Sequence, residues 1–216
     1  MTEVYPIFVR ADRLRCVVIG GGPVAARKLR GLRDAGARVT VIAPDIHPDI
    51  AAMVESEHVH VLRRVACDED VEHAELVFLA TSDRAVNMQL EIVARAGGAL
   101  VNRADSPEDG TFHVPAVLRR GDITVALATG GRGPAFSRMM RDELEGTLTA
   151  ERVELLHVIA EARETAHAAG ITISGDAWKN AVDDEVRFLA RTGNRAGAVR
   201  RILDQVSALA SAVPAQ

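Results

Sequence analysis

The sequence predicts an α/β protein: a doubly wound parallel sheet in the first half, a short turn-rich region after it, and helices to the end. Three observations predict it. Short runs rich in Val, Ile and Leu recur at residues 15–19, 38–42, 59–62, 76–80 and 100–102. Between them, residues 24–35, 48–56 and 84–96 carry apolar side chains at helical spacing. A glycine triplet, Gly20-Gly21-Gly22, stands directly after the first strand and opens the first helix. Strands that alternate with helices join through right-handed crossovers, which gives a Rossmann-like sheet covered on both faces.

The strands read as near-continuous apolar runs because a parallel sheet buries both of its faces. Gly36 and Gly97 follow the first and last of these helices as C-terminal caps. After Asn102 the pattern changes. Residues 104–110 are turn-rich, 112–117 are extended, Arg119-Arg120-Gly121-Asp122 reads as a turn, and 123–128 reads as another strand. Thr129-Gly130-Gly131-Arg132-Gly133-Pro134 follows, and then helices near 134–147, 151–169, 176–191 and 196–210. The mixed charge of that tail makes it neither a basic nor an acidic arm, and partner-facing helices are its expected role.

Composition narrows the function. The chain is 48% hydrophobic but has only one Trp, one Tyr and five Phe, so aliphatic residues must build the core. A net charge of −4 gives no general attraction to nucleic acid or to an anionic membrane. The uncharged run from Cys16 to Ala26 is broken by glycines and a proline and is too short to cross a bilayer. The start of the chain has no signal-peptide pattern. Two cysteines are too few for a disulfide scaffold or a thiolate metal site, so a reducing cytoplasm is expected and no metal ligands are assigned.

Gly20-Gly21-Gly22-Pro23-Val24-Ala25 fits G-x-G-x-x-A in its strand-turn-helix frame. Gly20 permits the tight turn, Gly22 lets the main chain approach a pyrophosphate, and Ala25 allows close helix packing. An acid is expected at the end of the second strand to hold the ribose hydroxyls. That position is Ala43, and the acid comes later in Ala43-Pro44-Asp45. Asp45 would repel a 2′-phosphate, which favours NAD over NADP, although it is equally placed to cap the next helix. Thr81 and Ser82, with Asn87, put polar groups beside the cofactor crevice, or else cap the helix that follows.

Asp105 follows the fifth strand, at the carboxyl edge where doubly wound folds bind ligands. There it would accept a proton as a neighbouring carbon gives hydride to nicotinamide, or serve as an ordinary turn residue. His113 is a candidate proton shuttle or a structural histidine. His58 and His60 read as surface residues. All cations except Lys28 and Lys179 are arginines, which suits a substrate with many carboxylates.

Taken in order, Gly20-Gly21-Gly22-x-Val24-Ala25-x-Arg27-Lys28, Val101-Asn102-x-x-Asp105-x-Pro107, Phe112-x-x-Pro115-Ala116 and Thr129-Gly130-Gly131-x-x-Pro134 resemble the precorrin-2 dehydrogenase family, which includes the dehydrogenase and chelatase part of sirohaem synthase. The match runs from Tyr5 to Leu148. The resemblance implies NAD-dependent oxidation of precorrin-2, a tetrapyrrole with eight carboxylates, to sirohydrochlorin, for sirohaem or cobalamin. Some members also insert ferrous iron.

By motif position, Pro23 and Val24 and then Pro44 and Asp45 are the cofactor pairs, and Asp105 is the catalytic aspartate. His113, Thr129, Gly130, Gly131 and Arg132 fall to the substrate. The resemblance divides the chain into an NAD-binding domain over 1–113, a dimerisation and substrate-cleft region over 114–150, and a helical domain over 151–216, with a homodimer as the assembly. It also implies that this chain lacks the methyltransferase domain of longer sirohaem synthases. Thr129 stands where many relatives have Ser, and Arg132-Gly133 departs from the usual polar pair. A rival from another class is a non-catalytic NAD-sensing module, which shares the glycine loop but accounts for nothing from Asp105 to Pro134. A short-chain dehydrogenase is excluded because the only tyrosine, Tyr5, heads no Tyr-x-x-x-Lys pair.

Overall fold

Five strands of four residues each, β1 (Cys16–Ile19), β2 (Val39–Ile42), β3 (Val59–Leu62), β4 (Leu76–Leu79) and β5 (Leu100–Arg103), pair in the order β3-β2-β1-β4-β5, all parallel. The computed structural model describes residues 4–54, 58–171 and 174–211. The chain divides into two compact units, one of Met1–Pro115 with Ala128–Pro134 and the other of Ala116–Leu127 with Ala135–Gln216. The segment 114–150 therefore contributes to both.

In the first unit, alternation along each strand sends side chains to two separate cores. Cys16 and Val18 join Leu29 of α1 (Pro23–Arg33) and Ile50 of α2 (Pro48–Met53). Val17 and Ile19 join Val71 of α3 (Glu69–Glu72) and Leu90 and Ala94 of α4 (Arg84–Ala96). The two central strands are buried at every position, which is why the sequence shows no polar alternation there. Pro23 starts α1 one residue earlier than its apolar spacing suggests, since proline suits the first helical turn. The single acidic turn α3 escaped the sequence reading because Val71 is its one buried side chain. The expected end of α2 at Ser56 lies outside the described residues. His58 and His60 are both exposed.

The second unit opens with an antiparallel hairpin, β6 (Ala116–Arg120) and β7 (Ile123–Leu127). Arg119 and Arg120 are strand residues, not the turn expected of them. They sit exposed on the hairpin, which turns at Gly121 (φ 54°) and Asp122. The strand begins later than expected because Phe112 belongs to the sheet, packed edge-on against Phe78 at 5.4 Å. The helices are α5 (Pro134–Glu145), α6 (Ala150–Ala168), α7 (Gly175–Asn180), α8 (Asp184–Arg191) and α9 (Arg195–Ser211). Val158 and Ala162 of α6, Val186 and Ala190 of α8, and Ala198, Ile202 and Val206 of α9 form one core. Small residues on these stripes let the helices approach closely, so the tail buries itself before any partner is needed.

The helix expected over 176–191 is broken between α7 and α8 by Asp183. Its carboxylate caps α8 by accepting from Val186 N at 2.9 Å, and also accepts from Arg201 Nη2 at 2.6 Å and Gln205 Nε2 at 2.7 Å. The Arg201 guanidinium, then the cap, hold this carboxyl well below the usual carboxylate range. A depressed pKa adds stability that is full above the unfolded value of about 3.9 and is lost as pH falls through the folded one. Asp183→Ala is expected to lower the thermal midpoint, with about 1 kcal/mol from the cap alone. Asp183→Asn keeps the cap and loses less. Its gap from wild type, followed by thermal unfolding against pH, should close on acidification below pH 4 or so.

Candidate active site

The strand order reverses between β1 and β4, and in doubly wound folds the carboxyl ends of the strands at such a reversal are where ligands bind. Gly20 lies in left-handed backbone, φ 116°, and a Cβ there would stand 2.5 Å from Ala80 O. Gly21 is tighter still, with a Cβ position 1.8 Å from Asp45 O, while its own carbonyl accepts from His47 N at 2.7 Å. The β1–α1 turn is thus wedged between the end of β4 and the β2–α2 loop. Sequence reasoning missed the need for Gly21, because the group it must avoid lies far along the chain.

Gly22 behaves differently. Its φ of −83° and ψ of −175° are ordinary extended backbone, and nothing lies within 4 Å of a Cβ built on it. The N-cap residue of α1 is Gly22 itself, which has no side chain to cap the helix. Free N–H donors, the positive end of a helix dipole and open space together fit a pyrophosphate. Pro23 is exposed and Val24 half-buried beside this mouth.

Pro44 and Asp45 are exposed at the end of β2. Asp45 does not cap α2. His47 does, its Nδ1 accepting from Asp49 N at 3.2 Å. The Asp45 carboxylate therefore faces solvent without a hydrogen bond among the described residues. At the end of β4 the cap of α4 is Asp83, not Thr81 or Ser82, with Oδ1 accepting from Ala85 N at 2.9 Å and Val86 N at 3.1 Å. The Thr81 hydroxyl donates to Asn87 Oδ1 at 2.7 Å, and Asn87 Nδ2 donates back to Thr81 O at 3.1 Å. That hydroxyl is committed to its turn.

Asp105 stands on the bend after β5, its side chain 23% exposed. The Arg103 guanidinium grips it through two nitrogens, Nε to Oδ1 at 3.2 Å and Nη2 to Oδ2 at 2.5 Å. Arg103 Nη1 donates to Glu91 Oε2 at 3.0 Å and lies 3.6 Å from Asp109. Arg84 Nε approaches the outer side of Asp105 at 4.0 Å. The bonds from Arg103, with a smaller one from Asn87, hold the Asp105 carboxyl below its ordinary range. Arg103 and Glu91 were missed in the sequence. The available signal was a carboxylate on a buried helix stripe, Asn87, Leu90, Glu91 and Ala94, which needs a buried cation opposite it.

Asn102 donates through Nδ2 to Phe112 O at 3.1 Å, and its buried Oδ1 has no partner among the described residues. His113 is exposed and without a hydrogen bond among the described residues, so the structural-histidine alternative fails. In the glycine turn, Thr129 Oγ1 accepts from Gly133 N at 3.3 Å, and Gly130 and Gly131 take φ of 59° and 78°. Arg132 is exposed there. Among the described residues no group of three or more His, Cys, Asp or Glu is arranged to hold a metal ion.

Sheet order, glycine cradle and uncapped helix define a dinucleotide-binding protein. The chain belongs to the family described as putative NAD(P)-binding, whose pattern matches residues 7–116. The pattern of the sirohaem biosynthesis protein central region matches residues 120–147. The siroheme synthase of Methylobacillus flagellatus is 37% identical over 162 residues, 75% of this chain and 35% of that one. That of Methylococcus capsulatus is 33% identical over 210 residues, 96% of this chain and 44% of that one. The chain thus spans less than half the length of these curated relatives. A solved structure of SirC, precorrin-2 dehydrogenase, aligns with a TM-score of 0.73 and 25% identity over 94% of this chain and 99% of that one.

Two alanine substitutions separate fold from binding. Gly21→Ala must displace the Asp45 backbone and is expected to lower stability by about 2 kcal/mol or more, read by chemical unfolding. Gly22→Ala strains nothing, and its methyl group enters the space before α1. Its thermal midpoint should match wild type while NAD affinity, measured by calorimetry, falls about tenfold, or ~1.4 kcal/mol.

Proposed function

We propose that the protein oxidises precorrin-2 to sirohydrochlorin with NAD as acceptor. The observation that carries this reading is Asp105, a carboxylate held ionised beyond the end of β5, on the same sheet edge as the glycine cradle. The match to a precorrin-2 dehydrogenase along nearly the whole chain supports it, as does the sirohaem pattern in residues 120–147. Nothing comparable supports an NAD-sensing module.

In this reading Gly20, Gly22, Pro23 and Val24 hold the diphosphate, and Pro44 and Asp45 flank the adenosine. The unpaired Asp45 carboxylate disfavours a 2′-phosphate and so selects NAD over NADP. Thr81 contributes its main chain, since its hydroxyl is engaged. The bound dinucleotide supplies a two-electron acceptor for hydride from a ring carbon. Oxidation removes two hydrogens from the macrocycle, one with its electron pair and one as a proton. Asp105 stabilises the positive charge left on the macrocycle and accepts the proton. His113 and the Thr129-Gly130-Gly131-Arg132 turn bind the substrate's carboxylates, Arg132 through its guanidinium.

A homodimer built on residues 114–150 is supported by exposed Val114, Phe136 and Met139 in that stretch. Residues 151–216 form its helical domain. No described helix is long and apolar enough to cross a membrane. Two free cysteines fit a cytoplasmic location.

Incubated anaerobically with precorrin-2 and NAD, the protein should yield the visible spectrum of sirohydrochlorin and one equivalent of NADH. A sensor would leave both reactants unchanged. Asp105→Ala should lower turnover about 100-fold with NAD affinity retained, and unchanged turnover would remove Asp105 from the mechanism. Repeating the assay with ferrous iron decides whether the same carboxylate also takes the pyrrole protons displaced by an entering metal.

A further inference from the structure

We infer that Arg103 is the positioning residue of the site: it orients the Asp105 carboxylate through two parallel bonds, while Glu91 holds the guanidinium from behind. The inference rests on the reading of Asp105 given above for its catalytic consequence, but its geometry stands apart from it.

Arg103 is 3% exposed, and burying an unpaired guanidinium would cost several kcal/mol. Glu91, with a side chain 7% exposed, takes one nitrogen of Arg103 on Oε2 and receives Arg95 Nη1 on its other oxygen at 3.3 Å. Its charge is shared between two arginines, so Asp105 is the partner that completes the pairing of Arg103. Its effect is geometric, because the two parallel bonds fix both oxygens of Asp105 in the plane of the guanidinium. Glu91 holds the far side of the guanidinium, so the fork that meets Asp105 is itself fixed in place, and the partly exposed carboxylate is presented at the rim in one orientation.

The groups facing Asp105 are few. β5 supplies Arg103. α4 supplies Arg84, Asn87 and, behind the arginine, Glu91 with Arg95 bonded to it. The adjoining loop supplies Asp109, which lies near Arg103, and a Ser106–Glu108 pair bonded to each other at 2.7 Å. Arg84 is 74% exposed and weakly coupled, so Arg103 dominates.

The test is a carboxyl titration followed by carbon NMR on isotope-labelled protein, with pH profiles of turnover beside it. In wild type, Asp105 should titrate below the ordinary aspartate range. In Arg103→Met/Glu91→Gln, which leaves no buried unpaired charge, it should move up by at least a unit. Turnover in that variant should fall about tenfold and gain an acid limb, with the KM for NAD unchanged. Arg103→Lys should restore the low titration but not the turnover, because a lysine lacks the fork. A wild-type Asp105 that titrates normally, or one unmoved in the double variant, overturns the inference. The wild-type titration decides alone if the variants do not fold. If wild type turns over no precorrin-2 yet Asp105 titrates as stated, the functional reading fails and the positioning role stands.

Discussion

Main chain packed on main chain, with no side chain between, is the constraint on which this molecule depends. At Gly21 the turn after β1 meets the Asp45 carbonyl so closely that a single methyl group has no room, and at Gly20 it meets Ala80. Those contacts tie the ends of β2, β1 and β4 into one edge. They aim α1 so that its uncapped N-terminus opens on the crevice. The anion-binding capacity of the site is thus a by-product of backbone packing, and it needs no charged side chain in the cradle.

The charged chemistry is placed on the other side of the reversal in strand order. Beyond β5 and along α4, a buried salt-bridge chain runs from Glu91 through Arg103 to Asp105. Buried ion pairs are weak contributors to stability, since desolvation offsets most of their attraction. What the geometry of this one adds is orientation: two parallel bonds from one guanidinium fix both oxygens of Asp105.

The helical unit follows a different logic. Its core is made of alanines and valines, and its helices are joined by polar locks such as Asp183 with Arg201 and Gln205. With few large side chains to bury, close approach of helices substitutes for volume. The apolar side chains left exposed at Val114, Phe136 and Met139 lie outside that core.

The strand positions, their parallel order and the glycine cradle were legible in the residues, because periodicity and turn chemistry are local and a four-residue apolar run between helices has one stable use. The left-handed backbone of Gly20 and the open space at Gly22 fit the turn read from that short motif. The break at Asp183, the late start of β6, the cap at His47, the tight fit of Gly21 and the Arg103–Glu91 pair were decided only in three dimensions. All but the cap, which is local, depend on a group distant in sequence: Arg201 for Asp183, Phe78 for Phe112, Asp45 for Gly21 and α4 for Arg103. Local spacing carries no record of which remote backbone or charge will arrive beside a residue, and at these positions that neighbour, not propensity, sets the outcome.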